Sequence, residues 1–219
     1  MKPRGKSLKV KIDLHVHTVN SKDGYTRPRE IPRILRSKGL DGIAVTDHDV
    51  NSRVEVEGCL ILPGIEVSTL EGHIIGLGIR EPVPKHRDPL ETIDLIHSQG
   101  GLAVIPHPYD MFSHSVDPVK FGGCVDAIEV ANASAMQLRR KKILKVAERF
   151  GLAMVGGSDS HLPQTIGDAY TVIEVDYSSV EDVLKSIASR RTEVVSGRTS
   201  ILHMLLKVKK DLLRYGGNR

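Results

Sequence analysis

Short apolar runs alternate with longer amphipathic stretches along this chain. Val10 to Val16 and Gly42 to Thr46 have the length and β-branched content of strands. Cys59 to Val67 has the same character, interrupted by Pro63-Gly64, and His73 to Ile79 follows closely enough to pair with it as a hairpin. Glu30 to Lys38 predicts a brief helix, begun near Pro28 and closed by Gly39. Pro89 to Gln99 predicts another, with Asp88 as N-cap, Pro89 at the first position and Gly100-Gly101 as its stop. Leu102 to Ile105, Val125 to Val130, Leu152 to Val155 and Ala169 to Val175 read as further strands. Helices are expected from Ser134 to Phe150, from Ser179 to Arg190 and from Ser200 to Tyr215.

Strand and helix repeating in this way predict a mostly parallel sheet with helices outside it. No repeat or linker divides residues 1–219, so a single α/β domain is the economical reading. An open sheet and a closed barrel both fit the pattern.

The chemistry lies in where polar residues fall relative to these runs. His15-Val-His17 ends the first run, and Asp23 follows six residues later. Thr46-Asp-His48-Asp49 ends the second, and Glu66 lies near the end of the third. Pro106-His107-Pro108 and Ser158-Asp159-Ser160-His161 end two later strands. The carboxyl ends of parallel strands converge on one face, where ligands gather. His15 and His17, two apart on a strand, project from the same side and can reach a single ion. Each motif alone has an ordinary reading, such as a packing pair, a turn or a helix cap. Five of them at five strand ends point instead to a metal centre. Imidazole with carboxylate and no thiolate favours zinc, manganese or iron(II). His73 precedes its apolar run, and position alone does not assign it. His86, His97, His114 and His203 have no partner at ligand spacing and read as surface or boundary residues.

Composition narrows the picture only a little. Hydrophobic residues make up 40%, charged residues 26% and aromatics 4%, so the core must be aliphatic. The net charge of +4 is mild, and much of the excess sits in Lys2 to Lys11 and Lys207 to Arg214, which read as solvated ends. Cys59 and Cys124 are isolated in apolar stretches and are expected to be buried reduced thiols. No signal-peptide core and no run of membrane-spanning length is present, so a cytoplasmic, soluble protein is expected.

In order, Asp13-Leu-His-Val-His-Thr18, Ser21-Lys-Asp-Gly24, Val45-Thr-Asp-His-Asp49, Gly64-Ile-Glu-Val-Ser68, Gly72-His-Ile-Ile-Gly76, Pro106-His-Pro108 and Gly157-Ser-Asp-Ser-His161 resemble the motifs of the PHP family, named for polymerase and histidinol phosphatase. That resemblance implies a distorted (β/α)7 barrel, with about residues 165–219 completing it and forming a C-terminal PHP-associated segment. It implies two or three divalent metals. His15, His17, Glu66 and Asp159 would hold one, Asp23, His48 and His161 a second, and Glu66, His73 and His107 a third. It further implies hydrolysis of a phosphate ester by a hydroxide shared between ions, on a nucleotide, a small phosphomonoester or a nucleic-acid end. No membrane and no obligate protein partner is inferred. Only 17 residues separate His48 from Glu66, too few for a full crossover helix, so the barrel is expected to be irregular there.

Around the ligands, Asp13 and Asp49 are candidates for contacts to imidazole N–H groups. Arg53, Lys22 and Arg198 are candidate phosphate cations, and Asn132 is placed to face the pocket. Three competing readings remain at this point: a histidinol-phosphate-type phosphatase, an amidohydrolase-like hydrolase and a non-catalytic metal-binding module. The second usually carries a bridging lysine at a strand end, where this chain has Glu66. The third sits poorly with nine ligand-type residues, because structural zinc sites close with four.

Overall fold

The computed structural model describes residues 7–136 and 139–215. Nine strands appear in chain order: β1 (Leu8–Val16), β2 (Gly42–Val45), β3 (Leu60–Ser68), β4 (His73–Leu77), β5 (Leu102–Ile105), β6 (Ala127–Asn132), β7 (Ala153–Gly157), β8 (Tyr170–Val175) and β9 (Thr192–Val195). Among the described residues six α-helices accompany them: α1 (Ile31–Lys38), α2 (Pro89–Ser98), α3 (Pro118–Phe121), α4 (Arg140–Phe150), α5 (Val180–Ala188) and α6 (Ile201–Tyr215). They form one sheet in the order β7-β6-β5-β4-β3-β2-β1-β8-β9.

The sheet curls into a nearly closed barrel. One buried cluster draws Ile12, Ala44, Leu62, Leu77, Val104, Ala127, Ala153 and Ile173 from eight different strands, which requires their inner faces to converge. Val183 and Ile187 of α5 join this interior. Because β8 runs antiparallel to β1, with Leu8 opposite Val175, α5 sits at the end where β1 begins. At the seam the end of β1 meets the chain just past β7 in a short backbone bridge, with His17 N donating to Ser160 O at 2.8 Å, and side chains join β7 to β8 and β9. Thr171 Oγ1 on β8 accepts from Gly156 N of β7 at 2.8 Å and donates to its carbonyl at 2.9 Å. Thr192 Oγ1 on β9 donates to Met154 O at 2.8 Å.

Outside, α1 covers β1 and β2 through Ile31, Leu35, Ile43 and Val45. Helices α2 and α4 cover β3 to β6 through Ile93, Ile96, Ile143 and Val146. Burying one such aliphatic side chain contributes about 1.5–3 kcal/mol. Helices α1 and α4 end on Gly39 and Gly151, whose φ of 64° and 65° close the last turn left-handed.

Parallel pairs join β1 to β2, β2 to β3, β5 to β6 and β6 to β7, while β4 runs opposite to both neighbours. The sequence break at Pro63-Gly64 leaves β3 continuous and marks where it changes partner. Residues 60–63 pair with β2 and residues 64–68 with β4. Residues 46–59 join β2 to the parallel β3 without a helix, as the short spacing predicts.

Several expectations need correction. Helix α4 begins at Arg140 rather than Ser134, and residues 137–138 of that expected helix lie outside the described residues. Ser134 is held in the loop instead. Its amide, with that of Ala135, bonds Asn132 Oδ1, and its hydroxyl bonds the carbonyls of Ser158 and Asp159. The cysteines are free but not buried. Cys124 is exposed in the turn before β6, and Cys59 is half-buried in the turn before β3. Strand β9 and the single turn α3 carry too few periodic residues to be read from sequence. Among the described residues no helix is long and apolar enough to cross a membrane.

Candidate metal centre

The end of the barrel where β1, β2, β3, β5, β6 and β7 finish gathers the nine residues singled out by sequence. Glu66, on β3, is the hub. Its Oε1 lies 2.9 Å from His107 Nε2 and 3.1 Å from His73 Nδ1. Its Oε2 lies 3.3 Å from both His15 Nε2 and His17 Nε2, and 3.2 Å from His48 Nδ1. Asp159 Oδ1 lies 3.5 Å from His15 and 3.4 Å from His17. Asp23 Oδ2 lies 3.0 Å from His161 and 3.8 Å from His48.

His73 arrives because β4 is antiparallel. Its first residue, not its last, lies beside the carboxyl end of β3, with His73 opposite Ser68. Two other positions carry unusual backbone: His107 and Asp159 have φ of 33° and 53°. Side chains held in this left-handed region cost about 1–3 kcal/mol and persist where the surroundings impose them. At the barrel centre Gly157 is required by space, since a Cβ there would lie 2.5 Å from that of His15.

Donor atoms within 4.8 Å of one another form three groups: His17, Asp23, His48 and His161; His15, His17 and Asp159; and His48, Glu66 and His73. His17 and His48 each belong to two groups, so the groups abut. The membership is close to, but not the same as, that implied by the family resemblance. It puts His17 with the Asp23 group and His48 beside Glu66. The donor set suits cations. Both ring nitrogens of His17 and Nδ1 of His73 and of His107 are buried without a hydrogen bond of good geometry. Uncompensated burial of such groups costs about 1–3 kcal/mol each. Imidazole and carboxylate donors without thiolate fit zinc, manganese or iron(II).

The electrostatics follow from this packing. Burial disfavours a charge on His17, but the Asp159 and Glu66 carboxylates outweigh it and lift its pKa to about 9. His15 and His107 are also raised against burial, His15 by Asp159, Glu129 and Glu66, and His107 by Glu66. His48 goes the other way, to about 4, because burial and the neighbouring His17 and His73 outweigh its acidic neighbours. Burial would raise Glu66, Asp159 and Asp23. The surrounding imidazoles instead hold all three well below the usual carboxylate range.

Glu129 was not singled out by sequence. It is buried on β6, its Oε1 2.9 Å from His15 Nδ1, while its Oε2 accepts from the His107 amide at 2.7 Å and from Asn132 Nδ2 at 3.0 Å. One acid inside the apolar run Ala127-Ile-Glu-Val-Ala131 was the available signal. Asn132, which was expected to face the pocket, also reaches Asp159 Oδ2 at 3.3 Å. Asp13 and Asp49 were expected at imidazole N–H groups and are elsewhere. Asp13 accepts from Ser158 N and Gly167 N, both at 2.8 Å, from Ser158 Oγ at 2.5 Å and from the His15 amide at 3.3 Å. Burial lifts its carboxyl to about 6 despite those bonds. Asp49 accepts from Ser68 N at 2.8 Å and Ser68 Oγ at 3.1 Å. Both acids fasten chain segments through backbone amides and serine hydroxyls.

The three candidate cations separate. Arg53 is exposed, 3.9 Å from Glu81, and lines a cavity of about 340 Å³ with Asn51, Arg80 and Glu81. Lys22 is exposed beside Asp23, and its carbonyl accepts from Arg214 at 2.7 Å. Arg198 lines a cavity of about 270 Å³ with Arg140, Gly197 and Asn132, and thus adjoins the cluster through Asn132. His97 lies outside the cluster, 2.8 Å from Asp126.

Residues 137–192 match a family model described as PHP-associated. An uncharacterised protein of Methanocaldococcus jannaschii is 37% identical over 141 residues, spanning 57% of this chain and 82% of that protein. A probable phosphatase of Shewanella frigidimarina is 27% identical over 210 residues, spanning 77% of this chain and 84% of that one. Among solved structures, a two-domain protein of Bacteroides vulgatus containing a PHP-like metal-dependent phosphoesterase superposes with a TM-score of 0.71 at 20% identity. It covers 93% of this chain and 70% of its own. Its likeness is one of fold. With the ordered motifs brought together at one barrel end, these matches show that the chain belongs to the PHP family of metal-dependent phosphoesterases.

Proposed function

We propose that this chain hydrolyses a phosphate ester at a multinuclear metal centre held by His15, His17, Asp23, His48, Glu66, His73, His107, Asp159 and His161. The observation that carries the reading is the connected cluster itself: eight donor residues in three abutting groups, with His107 on the Glu66 carboxylate, and buried imidazole nitrogens that make no hydrogen bond of good geometry. When bound, divalent ions supply Lewis-acid charge to a phosphoryl oxygen and make water acidic enough to serve as nucleophile near neutral pH.

The chain's own groups do the rest. Glu66 offers each carboxylate oxygen to a different set of imidazoles, which suits it to bridging two positions. Glu129 fixes the ring of His15 through Nδ1 and leaves Nε2 turned to the centre. Asn132 steadies Asp159. Arg198 and Arg140 offer positive charge to an anionic substrate next to the cluster. A nucleotide, a small phosphomonoester or a nucleic-acid end all present such a group.

A panel of these substrates tests the reading, with manganese and with zinc, against chelator-treated protein. Turnover that depends on metal, and that is abolished by His107→Ala with circular dichroism unchanged, is expected. Hydrolysis surviving full chelation, or a fully active His107→Ala protein, would refute it.

A further inference from the structure

Helix α6 is turned inside out. Its polar residues face the barrel. Tyr25 Oη donates to Asp211 at 2.8 Å, Lys207 pairs with Asp211 at 2.9 Å, and Arg214 donates to the Lys22 carbonyl at 2.7 Å. Lys210 and Arg214 also lie 4.9 and 4.8 Å from the centre of the Tyr25 ring. The apolar residues face outward. Ile201, Leu205, Val208 and Leu212 are 75%, 63%, 54% and 67% exposed, flanked by Leu202 and Leu213 at 73% each. A helix in water normally does the reverse.

We propose that this face binds the same face of a second copy, giving an antiparallel helix pair at the heart of a twofold dimer. The stripe has the spacing four, three, four of a coiled-coil seam. That spacing reads the same in both directions, so antiparallel pairing sets Leu205 against Val208, and Ile201 against Leu212, of the other copy. Charge placement points the same way. Lys209 is exposed beside the stripe, and antiparallel pairing sets it against Met204 rather than against its own counterpart. Of the other α6 cations, Lys207 is paired with Asp211, and Lys210 and Arg214 face Tyr25 and the 22–24 loop, which leaves a membrane surface little unpaired positive charge to meet. The area suffices as well. Six such side chains present on the order of 500 Å² per copy, reaching the roughly 1,000 Å² total of a specific interface.

Light scattering on the purified full chain tests this. A mass twice 24.1 kDa is expected, falling to the single-chain value in Leu205→Lys/Leu212→Lys with its circular dichroism unchanged. If that variant misfolds, cysteine pairing decides. Leu205→Cys mixed with Val208→Cys, both in a Cys124→Ser background, should give more disulfide-linked dimer than either alone. A wild-type chain that stays monomeric, a lysine variant that stays dimeric, or a mixture that links no better than its components overturns the proposal. So does a monomer that pellets with phosphatidylserine vesicles, which assigns the face to lipid.

Discussion

The two halves of the metal centre are built differently. His15, His17, Glu66, His107 and Asp159 form a floor, with side chains 0–11% exposed. Asp23, His48, His73 and His161 form a rim, 14–22% exposed. The floor is supported from behind by Glu129 and Asn132, and by the closeness of β7 that Gly157 permits. On the rim, Asp23 and His161 sit on loops, and α6 bonds the carbonyl of Lys22, next to Asp23. A buried charge must be oriented by protein because water cannot do it. A rim donor can be oriented partly by solvent, and substrate must approach from that side. Losses at the floor should therefore cost the whole centre, and losses at the rim only a part.

The largest effect is expected at Glu66. Glu66→Gln keeps the shape and removes the charge that five imidazoles share, so metal content and turnover should both collapse, by more than about 100-fold. His161→Ala should lose a smaller share of the bound metal, as counted by elemental analysis. Equal losses in the two variants would dissolve the distinction between floor and rim. Next comes Glu129→Gln, which disturbs the ring of His15 without removing a donor from the cluster. A fall of about 10–100-fold in metal affinity is expected, with turnover restored at high metal. Activity that saturating metal does not restore would place Glu129 in contact with substrate instead.

This division also governs what the sequence could reveal. Motifs at strand ends marked every residue of floor and rim except His73, because strand parity and chain order are local properties. Position in its run did not assign His73; the family motif did, and the expected hairpin accounts for its place, since a reversed strand brings its first residue to that end of the barrel. The supporting groups were harder to see. Asp13 and Asp49 flank ligands in sequence but bond backbone amides and hydroxyls, whereas Glu129, 114 residues from His15, holds its ring. Support from behind comes across the barrel, and no linear spacing encodes it. The start of α4 was misplaced for a related reason. Ser134 and Ala135 read as helix formers, but Asn132 and the 158–159 carbonyls take their polar groups.

A third effect, intermediate in size, is a dependence on pH. His17 has a folded pKa of about 9, above its usual 6.5, so its pairing stabilises the metal-free fold fully below pH 6.5 and less as pH rises through 9. Metal requires the neutral ring, so protons compete with metal over the same window and binding strengthens as pH rises. His48, at about 4, contributes nothing to that competition above neutrality. The gap between the melting temperatures of metal-loaded and chelated protein should widen steadily from pH 6.5 to 9. A constant or narrowing gap would mean that the floor imidazoles do not exchange protons for metal.

The smallest effect is expected at Asp49, just beyond the rim residue His48. Its carboxylate takes the amide and hydroxyl of Ser68 and so ties the end of β2 to the end of β3. Its backbone is left-handed, with φ of 56°, where Asp is tolerated and Ala is strained. Asp49→Ala loses hydrogen bonds worth about 1 kcal/mol each to Ser68, and the strain adds about 1–2 kcal/mol. The urea midpoint should fall accordingly, while turnover at saturating metal changes less than it does in Glu129→Gln. Asp49→Asn, which keeps an acceptor and suits this backbone, should recover most of the loss. If Asp49→Ala instead weakened metal binding tenfold at unchanged stability, Asp49 would be acting on His48 rather than on the strand, and support from behind would extend to the rim after all.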